Sequence, residues 1–264
     1  MLTFGERYFE EINNILERIQ TTQAENIEKS AKLMATAIHN GNLVHVFGSA
    51  HSAIPVLEVF PRYGSFVASK GGFHPLLNPR LLWSTVVGAG GVKDLLWLER
   101  VEGYIENFLD EQGMKSGDVL LVFSHGGLNS APVESAIYAK KHGLLVVAVT
   151  CMENQKVSKS THSSGKKLSD IADIVIDNCT PSEDAVVKID GLSEKICPST
   201  TVAIITILQS LIAQVAGELL GMEEKLDVFV SPNVVGIPLP HNRKIFAKYS
   251  HILVQHARKE EGYK

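Results

Sequence analysis

Apolar residues recur every three or four positions at the start of the chain. Phe4, Tyr8, Ile12, Ile15, Leu16 and Ile19 do so across residues 2–20, and Ile27, Leu33, Met34, Ala37 and Ile38 across 22–40. Each stretch predicts an amphipathic helix, and Gly41 supplies a C-terminal stop. Both helices precede any strand. Residues 1–40 therefore read as a helical appendage packed on the core, with 41–264 as the main domain.

The period then changes. Residues 43–47 (LVHVF) are a short continuous apolar run ending in 48–52 (GSAHS), and 53–60 reads as a helix stopped by Pro61 and Gly64. Residues 65–69 and 82–87 read as short strands or extended loop. Residues 94–112 read as one helix with Leu95, Leu96, Leu98, Tyr104, Ile105 and Leu109 on its apolar side. The clearest unit follows: a buried strand at 117–123, a turn at 124–130 (SHGGLNS), a helix at 131–142, Gly143, and a second buried strand at 144–150. Strand, short crossover and strand without alternation imply parallel neighbours covered on both faces. A strand at 172–178, a long helix from Thr200, a Pro-rich loop at 231–240 and a helix at 243–258 complete an α/β, doubly wound parallel sheet.

Composition narrows the class. The chain has 264 residues, 45% hydrophobic and 20% charged, with a net charge of −4. No basic excess marks a nucleic-acid surface. Cys151, Cys179 and Cys197 form no CxxC pair, which removes zinc-ribbon and disulfide-framework readings and fits a reducing, cytoplasmic setting. The charged N-terminus is unlike a signal peptide. Residues 202–220 approach the ~20 apolar residues of a membrane span, but Gln209, Ser210, Gln214 and Glu218 favour a helix buried in the protein or in a subunit interface. No membrane or nucleic-acid partner is expected.

In an open parallel sheet, ligands bind beyond the carboxyl ends of the strands. Two such ends carry small, hydroxyl-rich turns leading directly into helices: Gly48, Ser49 and Ser52 in the first, and Ser124, Gly126, Gly127, Asn129 and Ser130 in the second. Unpaired amides at a helix start attract anions, serine hydroxyls add donors, and glycine permits close backbone approach. Together they form a candidate phosphate cradle, although Ser130 alone also reads as a helix cap. A nicotinamide site is excluded: Gly48 is followed by Ser49, Ala50 and His51 rather than G-x-G-x-x-G, and 65–72 lacks the ribose acid. The lipase-like HGG at 125–127 has no G-x-S-x-G partner. No H-x-x-x-H or H-E-x-x-H motif occurs, so neither a metal nor another cofactor is expected.

At these residues the sequence resembles the sugar isomerase (SIS) domain family. Residues 117–130 (GDVLLVFSHGGLNS) are similar to its strand and Ser-x-Ser-Gly-Asn-Ser phosphate loop, 48–52 to its first loop, 165–178 to its penultimate strand approach, and 198–201 (PSTT) to its Ser/Thr helix start. The resemblance implies a flavodoxin-like sheet, a phosphosugar ligand, and dimers or tetramers with sites near subunit interfaces. It assigns phosphate contacts to Ser52, Ser124 and Ser130, and ligand proximity to Ser199, Thr200 and Thr201. The chain departs from the pattern at His125 and Gly126, and by the extra residue in Leu128–Asn129.

The family's isomerases use a Glu on the helix after the first loop and a His on the late helix. Arg62 falls on that Glu position by ungapped count, Glu58 lies four residues earlier, and 201–220 contains no His. Glu58, His51 and His125 are the candidate acid–base residues, histidine because its ordinary pKa lies near neutrality; Glu58 also reads as an i,i+4 partner of Arg62. Asp184 and Lys188 stand in a loop within reach of a ligand, and Asn233, His241, Asn242 and Arg243 form a late polar cluster. The expected activity is aldose–ketose isomerisation of a sugar phosphate through an enediol. The alternatives are a non-catalytic sugar-phosphate sensor and an etherase or lyase on the same scaffold.

Overall fold

A computed structural model describes residues 2–59, 61–82, 88–234, 236, 238 and 240–258. Five parallel strands form the central sheet: β1 (Leu43–Gly48), β3 (Gly72–Leu76), β4 (Val119–Phe123), β5 (Leu145–Thr150) and β6 (Ile174–Asp177). Their order is β3-β1-β4-β5-β6. Counting sheet strands along the chain, this is 2-1-3-4-5, the flavodoxin-like order. After β1 the chain first adds β3 on one side, then crosses to add β4 on the other. The crevice between the carboxyl ends of β1 and β4 is thus the switch point.

Alternation along each strand divides the core. Val44, Val46, Val119, Leu121, Phe123, Val147 and Val149 pack on one face with residues of α1 (Phe4–Thr22), α2 (Ala24–His39) and α8 (Thr200–Gly221). Phe47, Leu120, Val122, Val146 and Ala148 pack on the other with α4 (Gly88–Leu98), α5 (Tyr104–Leu109) and α6 (Ser130–Lys141). The two N-terminal helices thus lie on the sheet, and Met34, Ala35 and Ile38 are fully buried there. A smaller cluster seats α9 (His241–Arg258) through Ile245 and Ile252 against Leu43, Val67 and Phe229.

One expectation changes, and the structure adds elements that the sequence reading did not assign. Residues 94–112 are two helices, because Gly103 adopts φ 81° and the chain turns there. Residues 72–76 form a strand despite Pro75, which is tolerated because β3 is an edge strand. Two small antiparallel pairs also appear: β2 (Phe66–Val67) with β9 (Asp227–Val228), and β7 (Ala185–Val187) with β8 (Ile196–Pro198). The extended segment expected at 82–87 lies, beyond Leu82, outside the described residues. α8 is long and apolar enough to cross a membrane, but Ala203, Ile204, Ile207, Leu208, Leu211, Val215 and Leu219 are buried in the core.

Candidate functional site

The carboxyl ends of β1 and β4 open into a cavity of about 340 Å³. Ser49, His51 and Ser52 from the first turn, and Ser124, His125, Gly126 and Asn129 from the second, line it together with Glu99, Asp184, Thr200 and Thr201. The first turn is drawn tight over the strand end. A Cβ on Gly48 would lie 1.9 Å from the carbonyl oxygen of Ser52, so only glycine permits this approach. Ala50 (φ 50°) and Asp184 (φ 67°) both line the cavity in the left-handed region that alanine and aspartate seldom occupy; strain of this kind collects at functional sites.

Not every predicted residue faces the cavity. The Ser130 hydroxyl donates to the Arg100 carbonyl at 3.0 Å. Asn129, not Ser130, is the N-cap of α6. Gly127 adopts φ 60° and packs where a Cβ would meet Gln155 at 2.4 Å, while its amide donates to Ser124 Oγ at 3.1 Å. The Ser124 hydroxyl keeps its own hydrogen for another acceptor. The Ser199 hydroxyl donates to the Asp184 carbonyl at 2.8 Å. Glu58 lines a separate hollow with Gln209, its carboxylate paired with Arg62. Lys188 donates to the Ser193 carbonyl at 2.7 Å. Asn242 brackets Val230, accepting its amide and donating to its carbonyl.

Asp184 organises one wall. One carboxylate oxygen accepts from the Thr200 hydroxyl and amide at 2.6 Å each and from the Ser199 amide at 2.9 Å. Burial pushes this carboxyl up, but those bonds outweigh it and hold the group below its ordinary range. The first amides of α8 are therefore occupied by an internal anion. Thr200 Oγ1 also lies 2.9 Å from His125 Nδ1, and His125 Nε2 lies 3.1 Å from the Ser182 carbonyl. A carbonyl only accepts, so Nε2 carries a proton. Both ring nitrogens are engaged, and the ring is fixed.

The titratable group that sequence reasoning missed is Glu99. It is 7% exposed and lines the cavity from the turn that ends α4. Ser49 Oγ donates to it at 2.5 Å and Asn129 Nδ2 at 3.4 Å, so each of the two turns supplies one donor. Burial raises its carboxyl above the usual range, with the Ser49 bond and the Arg100 charge pulling back. A signal existed: Glu99 stands four residues after buried Leu95, a charge on the apolar face of the helix.

A parallel 2-1-3-4-5 sheet whose switch-point crevice is ringed by serines, the buried Glu99 carboxyl and the half-buried Asp184 carboxyl defines the class, and the comparisons agree. The SIS domain family profile matches residues 7–151, more than half of the chain, and the chain belongs to the SIS domain family. Within it, the chain is 38% identical over 245 residues to a UPF0309 protein of Caldanaerobacter subterraneus, covering 92% of this chain and 96% of that one. Its fold is similar to that of phosphoheptose isomerase from Neisseria gonorrhoeae, with TM-score 0.52 at 14% identity over 81% of this chain and 100% of that chain. The corresponding enzyme from Francisella tularensis gives TM-score 0.51 at 16% identity over 79% and 94%.

Proposed function

We propose that the chain binds a sugar phosphate in the switch-point cavity and isomerises it between aldose and ketose through an enediol, with Glu99 as the proton-transferring base. The observation that carries this reading is the buried Glu99 carboxylate, held between the two ligand turns and raised by burial toward neutrality. A base poised nearer the working pH takes and returns a carbon-bound proton more effectively than an exposed carboxylate. The phosphate is held by Ser52, Ser124, the Gly126 backbone and Thr201, which line the same cavity. Asn129, at the N-terminus of α6, adds the positive end of that helix. His125, fixed at both nitrogens, serves as a placed donor or wall rather than as the base. Val202 and Leu220 on α8 are exposed, which supports assembly with further copies of the chain.

The test is solvent deuterium uptake at C1 or C2, followed by NMR across a panel of C5 to C7 aldose and ketose phosphates. Exchange with at least one compound, reduced about 10²–10⁴-fold in Glu99→Gln, is the expected result. The engaged state of His125 favours one second reading, a binding module without turnover. Ligand-induced stabilisation that Ser52→Ala abolishes, with no exchange from any compound, selects that reading.

A further inference from the structure

We propose that His45, Asp118 and His256 form a site for one divalent transition-metal ion of the zinc class, at the end of the sheet opposite the sugar-phosphate cavity. The three residues come from β1, from the position just before β4, and from the last helix, α9. Their exposures are 0%, 1% and 4%. His45 Nε2 lies 2.9 Å from Asp118 Oδ2, and His256 Nε2 lies 2.9 Å from Asp118 Oδ1. The carboxylate therefore spans the gap between two imidazoles, each presenting Nε2. All three ligand atoms lie within 4.8 Å of one another.

An ion at ~2.0–2.2 Å from each atom needs donors no more than about 4.4 Å apart, so the set has at most a few tenths of an ångström to close in on binding. With the carboxylate bidentate, two imidazole nitrogens and two oxygens make four donors, a four-coordinate site distorted from tetrahedral by the narrow bite of the carboxylate. Imidazole favours zinc, copper, nickel or iron over magnesium or calcium.

The surroundings match what such a site requires. Metal ligands must be neutral imidazole and ionised carboxylate. Supporting groups are also present. Asp118 accepts the Leu43 and Lys115 amides at 3.0 Å each. His45 Nδ1 faces His74 Nδ1 at 3.1 Å. When the ion takes Nε2, the His45 proton sits on Nδ1 and donates to His74, whose Nδ1 changes from donor to acceptor as its own proton moves to Nε2. Partners of this kind orient ligating histidines. Because α9 supplies the third ligand, binding also ties the last helix to the sheet.

Untagged full-length chain, stripped with chelator and dialysed against zinc, should retain one zinc per chain by elemental analysis. Its melting temperature should rise with zinc, because the ion binds the folded state. Cobalt(II) in place of zinc should give the visible absorption of a four-coordinate site. His256→Gln, which still offers a side-chain N–H to Asp118 and so keeps the fold, should lose both the zinc and the shift. His74→Gln should weaken zinc binding about tenfold or more. His162→Gln, altering the other cluster of potential ligands (Glu102, Glu134 and His162), should retain the zinc. Zinc at background in the wild-type chain overturns the proposal. So does stoichiometric zinc surviving in His256→Gln, or zinc lost from His162→Gln. None of these readouts depends on the reaction in the cavity.

Discussion

The two ends of the central sheet both hold buried polar groups, but they use them differently. At the carboxyl end, Ser52, Ser124 and Glu99 border an open cavity. At the amino end, His45, His74, Asp118 and His256 turn inward on one another, and both Asp118 oxygens are bonded to ring and backbone nitrogens. A polar group facing a cavity keeps capacity for a ligand at some cost in stability, whereas one satisfied internally fixes the fold. Substitutions at the two ends should therefore separate: the amino end governs stability, the carboxyl end governs sugar-phosphate binding.

The sharpest break in this comparison is Asp118→Ala. It strands two imidazoles and the Leu43 and Lys115 amides in the interior. Each buried polar group left without its partner costs about 1–3 kcal/mol, and the urea midpoint should fall accordingly. Glu99→Gln should leave the midpoint unchanged or raised while removing exchange. A fall with Glu99→Gln comparable to that with Asp118→Ala would dissolve the distinction.

The ends should also respond to pH with opposite sign. Burial, with His45 nearby, lowers His74 from 6.5 to about 3. The unfolded chain therefore binds this proton more readily, and the stability held above pH 6.5 is lost as the pH falls toward 3. Asp118, also lowered, adds to the acid loss below its ordinary 3.8. Glu99 is raised, so the folded state binds its proton more readily than the unfolded chain, and its penalty grows as the pH rises above 4.5. In urea unfolding across pH, His74→Gln should flatten the acid limb. Glu99→Gln should stabilise the neutral limb and leave the acid limb alone.

Gly48→Ala probes the carboxyl end through its backbone. The new methyl would stand 1.9 Å from the Ser52 carbonyl oxygen, and a backbone oxygen cannot swing aside as a side chain can. A cost of about 1–3 kcal/mol is expected from overpacking, together with loss of sugar-phosphate-induced thermal stabilisation because Ser52 is displaced.

Much of this architecture was legible in the residues. The apolar runs at 43–47, 117–123 and 144–150 became β1, β4 and β5, and the two small-residue turns do meet in one cavity. Local pattern failed where tertiary context decides. Pro75 hides β3, because only the sheet order shows that the strand lies at an edge. Glu99 was submerged in a helix read as continuous to residue 112, and its role depends on Ser49, 50 positions away in the chain. The His45–Asp118–His256 cluster has no spacing signature, since its members stand 73 and 138 residues apart; only the docking of α9 unites them.

The smallest expected effect separates two serines that sequence reasoning treated alike. Ser130 is fully buried and donates to the Arg100 carbonyl. Ser52 lines the cavity. Ser130→Ala leaves the Arg100 carbonyl without this donor and should cost about 1 kcal/mol, with ligand affinity unchanged. Ser52→Ala should leave the unfolding midpoint within about 0.5 kcal/mol of wild type, yet abolish the thermal shift produced by sugar phosphates. If Ser130→Ala weakens the ligand as much as Ser52→Ala does, the anion sits deeper against the start of α6 than the lining residues indicate. The hydroxyl that now holds Arg100 would then have to turn toward the ligand on binding, and the loop carrying Glu99 would move with it.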